Sequence, residues 1–556
     1  MGCGASRASG YVAPPGQDAA PPDASVHDAT TEASGDGPIF GSVDSSDEAP
    51  PGKTLTTLDV TPASSTLTAM NGGSAQLQLT ATGTFSDGST EDLTQQAVWT
   101  RAQPALGAVT ATGQFIANGK LGGLETVTAT FGAVSGSATI FVKLQFVENP
   151  GGATATVQGA LQGATAPDPT VKWAYPYEAT VFPRGLNETT LMWIGGNVDD
   201  YYYVHLSSAT FDLQSFAQAG NQWFDFSESD WQSFLDSTSG PAELVVTRWD
   251  GKQATTLCDL HWIIGNGSMR GTIYYAQYQN LGGNEVGDVV RIDPGATGYA
   301  DFLATGFTCP SCHTASAKGN ELTMNAQNAP LETSYGINLL DGGTSYSGLF
   351  GDAGTSQWGL AALSPDGTTL VENFAPLYGK IGVQTGAYDT STGSALPSTG
   401  LEGHQLWMPS FSPDGLLLVY VDASTHDLRA YDWDPVAKVA TNDRLLVASS
   451  ANAALPQIQY PSASPDHQWV VYQRGTALGS LGVPGDLYAA NVSTGVEILL
   501  ANLDGTTYPF AAGSRDLHFN YEPTFAPVAA GGYFWLVFHS RRTYGTKITQ
   551  PAYTAK

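Results

Sequence analysis

Three tetrapeptides constrain most of what this chain can fold into. Ser364-Pro365-Asp366-Gly367, Ser412-Pro413-Asp414-Gly415 and Ser464-Pro465-Asp466-His467 lie 48 and 52 residues apart. A short apolar run follows each: Thr369-Leu370-Val371, Leu416 to Tyr420, and Trp469 to Tyr472. In such a turn Pro takes a position whose φ its ring has already fixed, and Gly takes one where φ is positive. Asp389 to Gly393 and Asn491 to Gly495 supply further turns at the ends of two units. A period of about 40–50 residues, with several short strands in each, predicts a β-propeller. A first unit from Gly271 to Asp293 lacks the turn motif, and a last one runs from Pro523 to Phe538. The repeat therefore predicts a roughly six-bladed propeller over 269–556.

One stretch inside this repeat carries chemistry. Cys309-Pro310-Ser311-Cys312-His313 reads C-x-x-C-H, the attachment pattern of a c-type haem. Two thiols at that spacing can reach the vinyl groups on one porphyrin edge, and the next residue offers an imidazole to the iron. The same residues also suit a short Cys309–Cys312 disulfide. Zinc needs four ligands, and no second C-x-x-C or H-x-x-x-H occurs. Ser316-Ala317-Lys318-Gly319 lies 48 residues before Ser364, so the motif runs into a degenerate copy of the repeated turn. His313 then matches Pro409, Pro461 and Pro523 of later units. Cys258 is expected to be a buried free thiol.

Composition agrees with an all-β chain. Among 556 residues there are 64 Gly and 32 Pro, and only 13% are charged, which favours turns over long helices. The net charge of −29 excludes nucleic acid and anionic lipid surfaces as natural partners. No apolar stretch approaches the ~20 residues of a membrane helix. No G-x-S-x-G elbow, phosphate loop or H-E-x-x-H is present, so classical hydrolase and nucleotide chemistry have no support.

Ahead of the propeller the chain reads as a series of smaller modules. Residues 1–52 are dominated by Ala, Pro, Ser, Asp and Gly and are expected to be a disordered tether. Short alternating runs across 53–144 predict a β-sandwich. Residues 145–172 are Gly/Ala/Thr-rich and read as a linker. A second sandwich is expected over 173–268, with strands at Tyr201 to Leu206 and Glu243 to Thr247. Within it, Ser227 to Ser237 predicts a short helix with Ser227 as N-cap and acids in the first turn. Tyr201, Tyr202 and Tyr203 with Trp223 and Trp231 could stack on sugar, but such residues more often form the core. Asp199-Asp200 reads as a turn.

Several segments resemble known families. Met1-Gly2-Cys3-Gly4 before the tail resembles the mature start of a bacterial lipoprotein, which implies lipid on Cys3. Met1 to Ser6 also fits N-myristoylation at Gly2. Gly83 to Thr90, Val98-Trp99 and Gly113-Gln114-Phe115 resemble bacterial Ig-like domains of group 2. In that family the Phe-Ser-Asp-Gly-Ser run is a hairpin turn and the Trp is a core residue. Val181-Phe182-Pro183 with Trp193 resembles a fibronectin III-like domain. The S-P-D-G units resemble TolB-like, WD40-like (PD40) propellers of bacterial envelopes. Cys309 to Met324, with Ser316 and Gly319, resembles envelope propellers carrying C-x-x-C-H-x-x-S-x-x-G-x-x-L-x-M; Lys318 replaces the Asp usual in that turn. This last resemblance implies Met324 as the sixth iron ligand. Met324 also aligns with Tyr420 and Tyr472, as a packed strand residue would. His404, Met408 and His518 are alternative ligands from other units.

The resulting expectation is an envelope lipoprotein, in the periplasm or on the surface, carrying haem c for electron transfer or redox sensing with an undefined redox partner. A haem-dependent oxidoreductase would need an open iron site. The alternative is a non-enzymatic binding propeller that takes a peptide or glycan at its central channel, with Cys309–Cys312 as a disulfide. In either case the membrane is reached only through the lipid.

Overall fold

The computed structural model describes residues 11–12, 52–219, 222–281, 284–296, 298–301, 303, 311–328, 331–348, 360–373, 385–477, 483–504 and 518–545. The expected tether, apart from Tyr11, Val12 and Gly52, and Cys3 within it lie outside these residues, as does Cys309. The chain divides into two units: Gly16–Lys143, and Met1–Pro15 with Leu144–Lys556.

In the first unit, antiparallel strands pack around Leu58, Leu79, Trp99, Phe115, Val127 and Ile140. Trp99 is buried, and its indole N–H donates to Thr94 O at 2.9 Å. Asp87 is a turn residue, accepting from Ser89 N at 2.9 Å and from Ser89 Oγ at 2.6 Å.

The second unit begins within the strand Val134–Glu148, whose residues 144–148 pair in parallel with 211–215. The stretch 145–172, expected as a linker, is not one. It contains these strand residues and a helix, Ala155–Gln162, capped by Thr154. The helix is short and carries no charge pattern, yet it buries Leu161 completely. The same stretch supplies Asp168, whose carboxylate is buried against Arg248.

The second sandwich packs large rings into its core. Trp193, Tyr202, Trp231 and Trp262 are each no more than 2% exposed. Tyr203 is buried as well, so of the residues considered for sugar stacking Trp223 is the exposed one. The helix Glu228–Ser237 forms as expected, with Ser227 Oγ accepting from Asp230 N at 3.1 Å. Cys258 is a buried free thiol, and burial pushes its pKa up.

From residue 272 onward, six consecutive antiparallel sheets follow among the described residues. The most complete are Leu406–Phe411, Leu417–Asp422, Leu428–Asp434 and Val439–Val447, then Gln457–Ala463, Trp469–Gly475, Gly485–Asn491 and Glu497–Leu499. From the second sheet to the sixth, the first strands pack against one another in chain order. This is the expected propeller, and the chain is all-β apart from its short helices.

The repeated turn explains the regularity. Gly367 and Gly415 have φ of 75° and 79°, and His467, standing at the Gly position, is held at 48°. In each turn the Ser hydroxyl accepts from the backbone N–H five residues on: Thr369, Leu417 and Trp469, at 2.9–3.0 Å. The same hydroxyl donates to the turn's Asp. Ser316 keeps the first bond, to Glu321 N at 3.0 Å, and Lys318 cannot supply the second.

Candidate functional site: the propeller axis

A second repeat runs through the innermost strands. Cys312, Met408, Tyr460 and Glu522 all have positive φ, between 50° and 53°. Each sits in a β-bulge. The pairing jumps from Ser311 to Thr314, from Trp407 to Ser410, from Gln459 to Ser462 and from Tyr521 to Thr524. Two residues on the inner strand therefore oppose one on the next. The second bulge residue is Pro409, Pro461 or Pro523 in three blades and His313 in the other. A proline ring removes a backbone donor, which a bulge does not need for its ladder.

These bulge residues close the axis. Cys312, Met408 and Tyr460 join Leu360, 48 residues from both Cys312 and Met408, in one buried cluster. Four blades thus meet through four side chains. Met408 Sδ accepts from Tyr460 N at 3.1 Å. Glu522, from the sixth sheet, is buried and bonded to His539 Nδ1 at 3.0 Å.

Above this plug the axis opens as a cavity of about 70 Å³. Its wall includes Thr314, Ala362, Ser410, Ser462, Glu522 and Thr524, from five successive blades. A larger cavity of about 790 Å³ lies where the second sandwich meets the propeller, lined by Tyr175, Phe182, Leu500, Trp535 and Phe538. Among the described residues, Arg542 is the one charged group lining it, with no carboxylate, histidine or cysteine.

Of the residues named for haem, Cys312, His313 and Met324 are described. Cys312 points into the axial cluster rather than toward an open cavity. His313 is 1% exposed, and its Nε2 lies 3.2 Å from Tyr274 O of the first blade. Met324 lies directly across from the Cys312–His313 bulge, on the adjacent hydrogen-bonded strand. It is fully buried with Tyr274, Val289, Leu322 and Ile337. Two axial ligands must sit on opposite faces of the macrocycle. A porphyrin plane cannot pass between paired strands about 5 Å apart. Met324 fills the blade core where Tyr420 and Tyr472 fill theirs. Among the alternatives, His404 is exposed, His518 bonds Asp486 at 2.8 Å, and Met408 belongs to the plug. The structure brings Cys312 and Met408 together; Cys309, the motif's other thiol, lies outside the described residues.

The bulge repeat gives a direct check. His313→Pro should fold, since three sister bulges already hold proline after a residue with φ near 50°. The loss includes the contact with Tyr274 O, about 1–2 kcal/mol. A denaturation midpoint lowered by much more would show that His313 has a role its sister positions lack.

No protein-family model matches this chain. No curated protein matches it either. Solved structures do. TolB from Acinetobacter baumannii is 15% identical, with 55% of this chain and 64% of that chain covered and a TM-score of 0.27. The chain therefore spans less than two thirds of that protein. Hydrazine synthase from Kuenenia stuttgartiensis is 15% identical over 49% of this chain and 70% of that chain, at a TM-score of 0.31. Oligogalacturonate lyase from Vibrio parahaemolyticus is 12% identical over 46% and 80%, at 0.27. The propeller assignment rests on the sheets and bulges described above.

Proposed function

We propose that this is a non-enzymatic docking propeller that takes a polypeptide segment at the mouth of its axis, and that it is held at the bacterial envelope by lipid on Cys3. The observation that carries the docking reading is the plugged axis beneath a mouth lined by five blades. A closed floor leaves a shallow polar depression, suited to the tip of a chain rather than to a buried cofactor. Thr314, Ser410, Ser462 and Thr524 supply hydroxyls, and Glu522 supplies a carboxylate. The net charge of −29 favours a segment carrying lysine or arginine. A peptide is favoured over a glycan because, of the three rings at the mouth, Phe411 and Tyr460 are buried and only Phe525 is half-buried, which leaves no broad face for stacking on sugar.

The test is fluorescence anisotropy with labelled ten-residue peptides, one lysine-rich and one glutamate-rich. Saturable binding of the basic peptide is expected. Ser410→Arg, which fills the mouth and reverses its charge, should weaken it by about tenfold or more. Equal binding of both peptides, or no effect of Ser410→Arg, would remove the reading.

A further inference from the structure

We propose that the outer face of the second sandwich carries a site for a divalent cation of the zinc class, built from Glu243, Asp259 and His261. The strands Gly240–Trp249 and Ala254–Ser268 place Glu243 directly opposite His261. Asp259 lies two residues before His261, hence on the same face. One ligand atom from each lies within 4.8 Å of the other two, and all three side chains are exposed. A cross-strand pair plus one same-strand neighbour forms a tripod on a flat sheet.

A fourth residue, from outside this strand pair, orients the imidazole. Glu178 accepts the His261 backbone N–H at 2.8 Å through Oε2, and its Oε1 lies 3.3 Å from His261 Nδ1. One carboxylate thus holds both the backbone and the ring. A metal-binding imidazole almost always gives its other N–H to such a partner, which fixes the tautomer and leaves Nε2 with its lone pair. Three carboxylates around one imidazole also leave net negative charge that a dication would balance. One nitrogen and two carboxylate ligands suit zinc, cobalt or nickel better than calcium or magnesium, which take all-oxygen sets. Three protein ligands leave a fourth position for water or for a group from a partner.

The site is independent of the propeller mouth, so its test is separate. The full chain, free of any affinity tag and stripped with chelator, is titrated with zinc chloride by calorimetry, with calcium chloride as comparison. One zinc site is expected, with calcium binding at least about tenfold weaker. His261→Ala should abolish the zinc heat while leaving the circular dichroism spectrum unchanged. Glu178→Gln, which touches no metal, should weaken binding by about 10–100-fold. No zinc heat in the parent protein, unchanged affinity in His261→Ala, or equal affinity for calcium overturns the proposal.

Discussion

Replacing Arg248 by methionine is expected to destabilise the second sandwich by about 3–5 kcal/mol, among the largest effects of any single change in this chain. Arg248 Nε donates to Asp200 Oδ2 at 2.7 Å, and Nη1 donates to Asp168 Oδ2 at 2.9 Å. The Asp168 and Asp200 side chains are 1% and 4% exposed. Methionine fills similar space but leaves two buried carboxylates without their cation. Burial alone would raise the Asp168 pKa. The Thr255 hydroxyl, the N–H groups of Thr170 and Val171, and Arg248 together hold it well below the usual carboxylate range instead. The sign of the pH dependence follows. A depressed folded-state pKa gives stability that is full above the unfolded value of about 4 and is lost as pH falls below it. The parent sandwich should therefore weaken in acid, and Arg248→Met should show less of that slope. Urea midpoints at several pH values, followed by tryptophan fluorescence, report both effects. A midpoint unchanged at pH 7 would mean the triad is not closed as described.

Met324→Ala should cost about 2–5 kcal/mol, because it empties a fully buried position at the centre of its blade. The same substitution separates the two roles considered for this residue. A packing residue lost in this way lowers the denaturation midpoint of the propeller and changes no visible spectrum. An iron ligand lost from a covalent haem would change the spectrum first. A stable Met324→Ala protein, within about 1 kcal/mol of the parent, would contradict its placement in the core.

The parts legible in the sequence are those whose signal is local. The S-P-D-G turns announced themselves because Pro and Gly are needed at fixed places, and His467 shows how far the pattern tolerates exchange. Ser227 and its following acids marked a helix start for the same reason. The bulges were harder to see. Cys312, Met408, Tyr460 and Glu522 adopt positive φ without being glycine, so no residue type betrays the conformation. The available signal was the proline after three of them, aligned with His313. C-x-x-C-H shows nothing of the surrounding backbone, because spacing along the chain does not report it; in a bulged strand Cys312 joins the axial cluster. The Arg248 triad had no local signal, since Asp168 lies 80 residues away and only the fold joins them. The helix Ala155–Gln162 was missed because eight residues, half of them Gly, Ala and Thr, look the same in a loop.

The central proposal is that the propeller docks a partner at the mouth of its axis and carries no haem. The most direct test is intact mass and the reduced visible spectrum of protein produced together with the c-type cytochrome maturation machinery. The account predicts the mass of the bare polypeptide, plus any lipid that the Cys3→Ser variant removes, and no c-type α band. An added mass of one haem that survives denaturation, and that disappears in the variant carrying Cys309→Ala and Cys312→Ala, would contradict it.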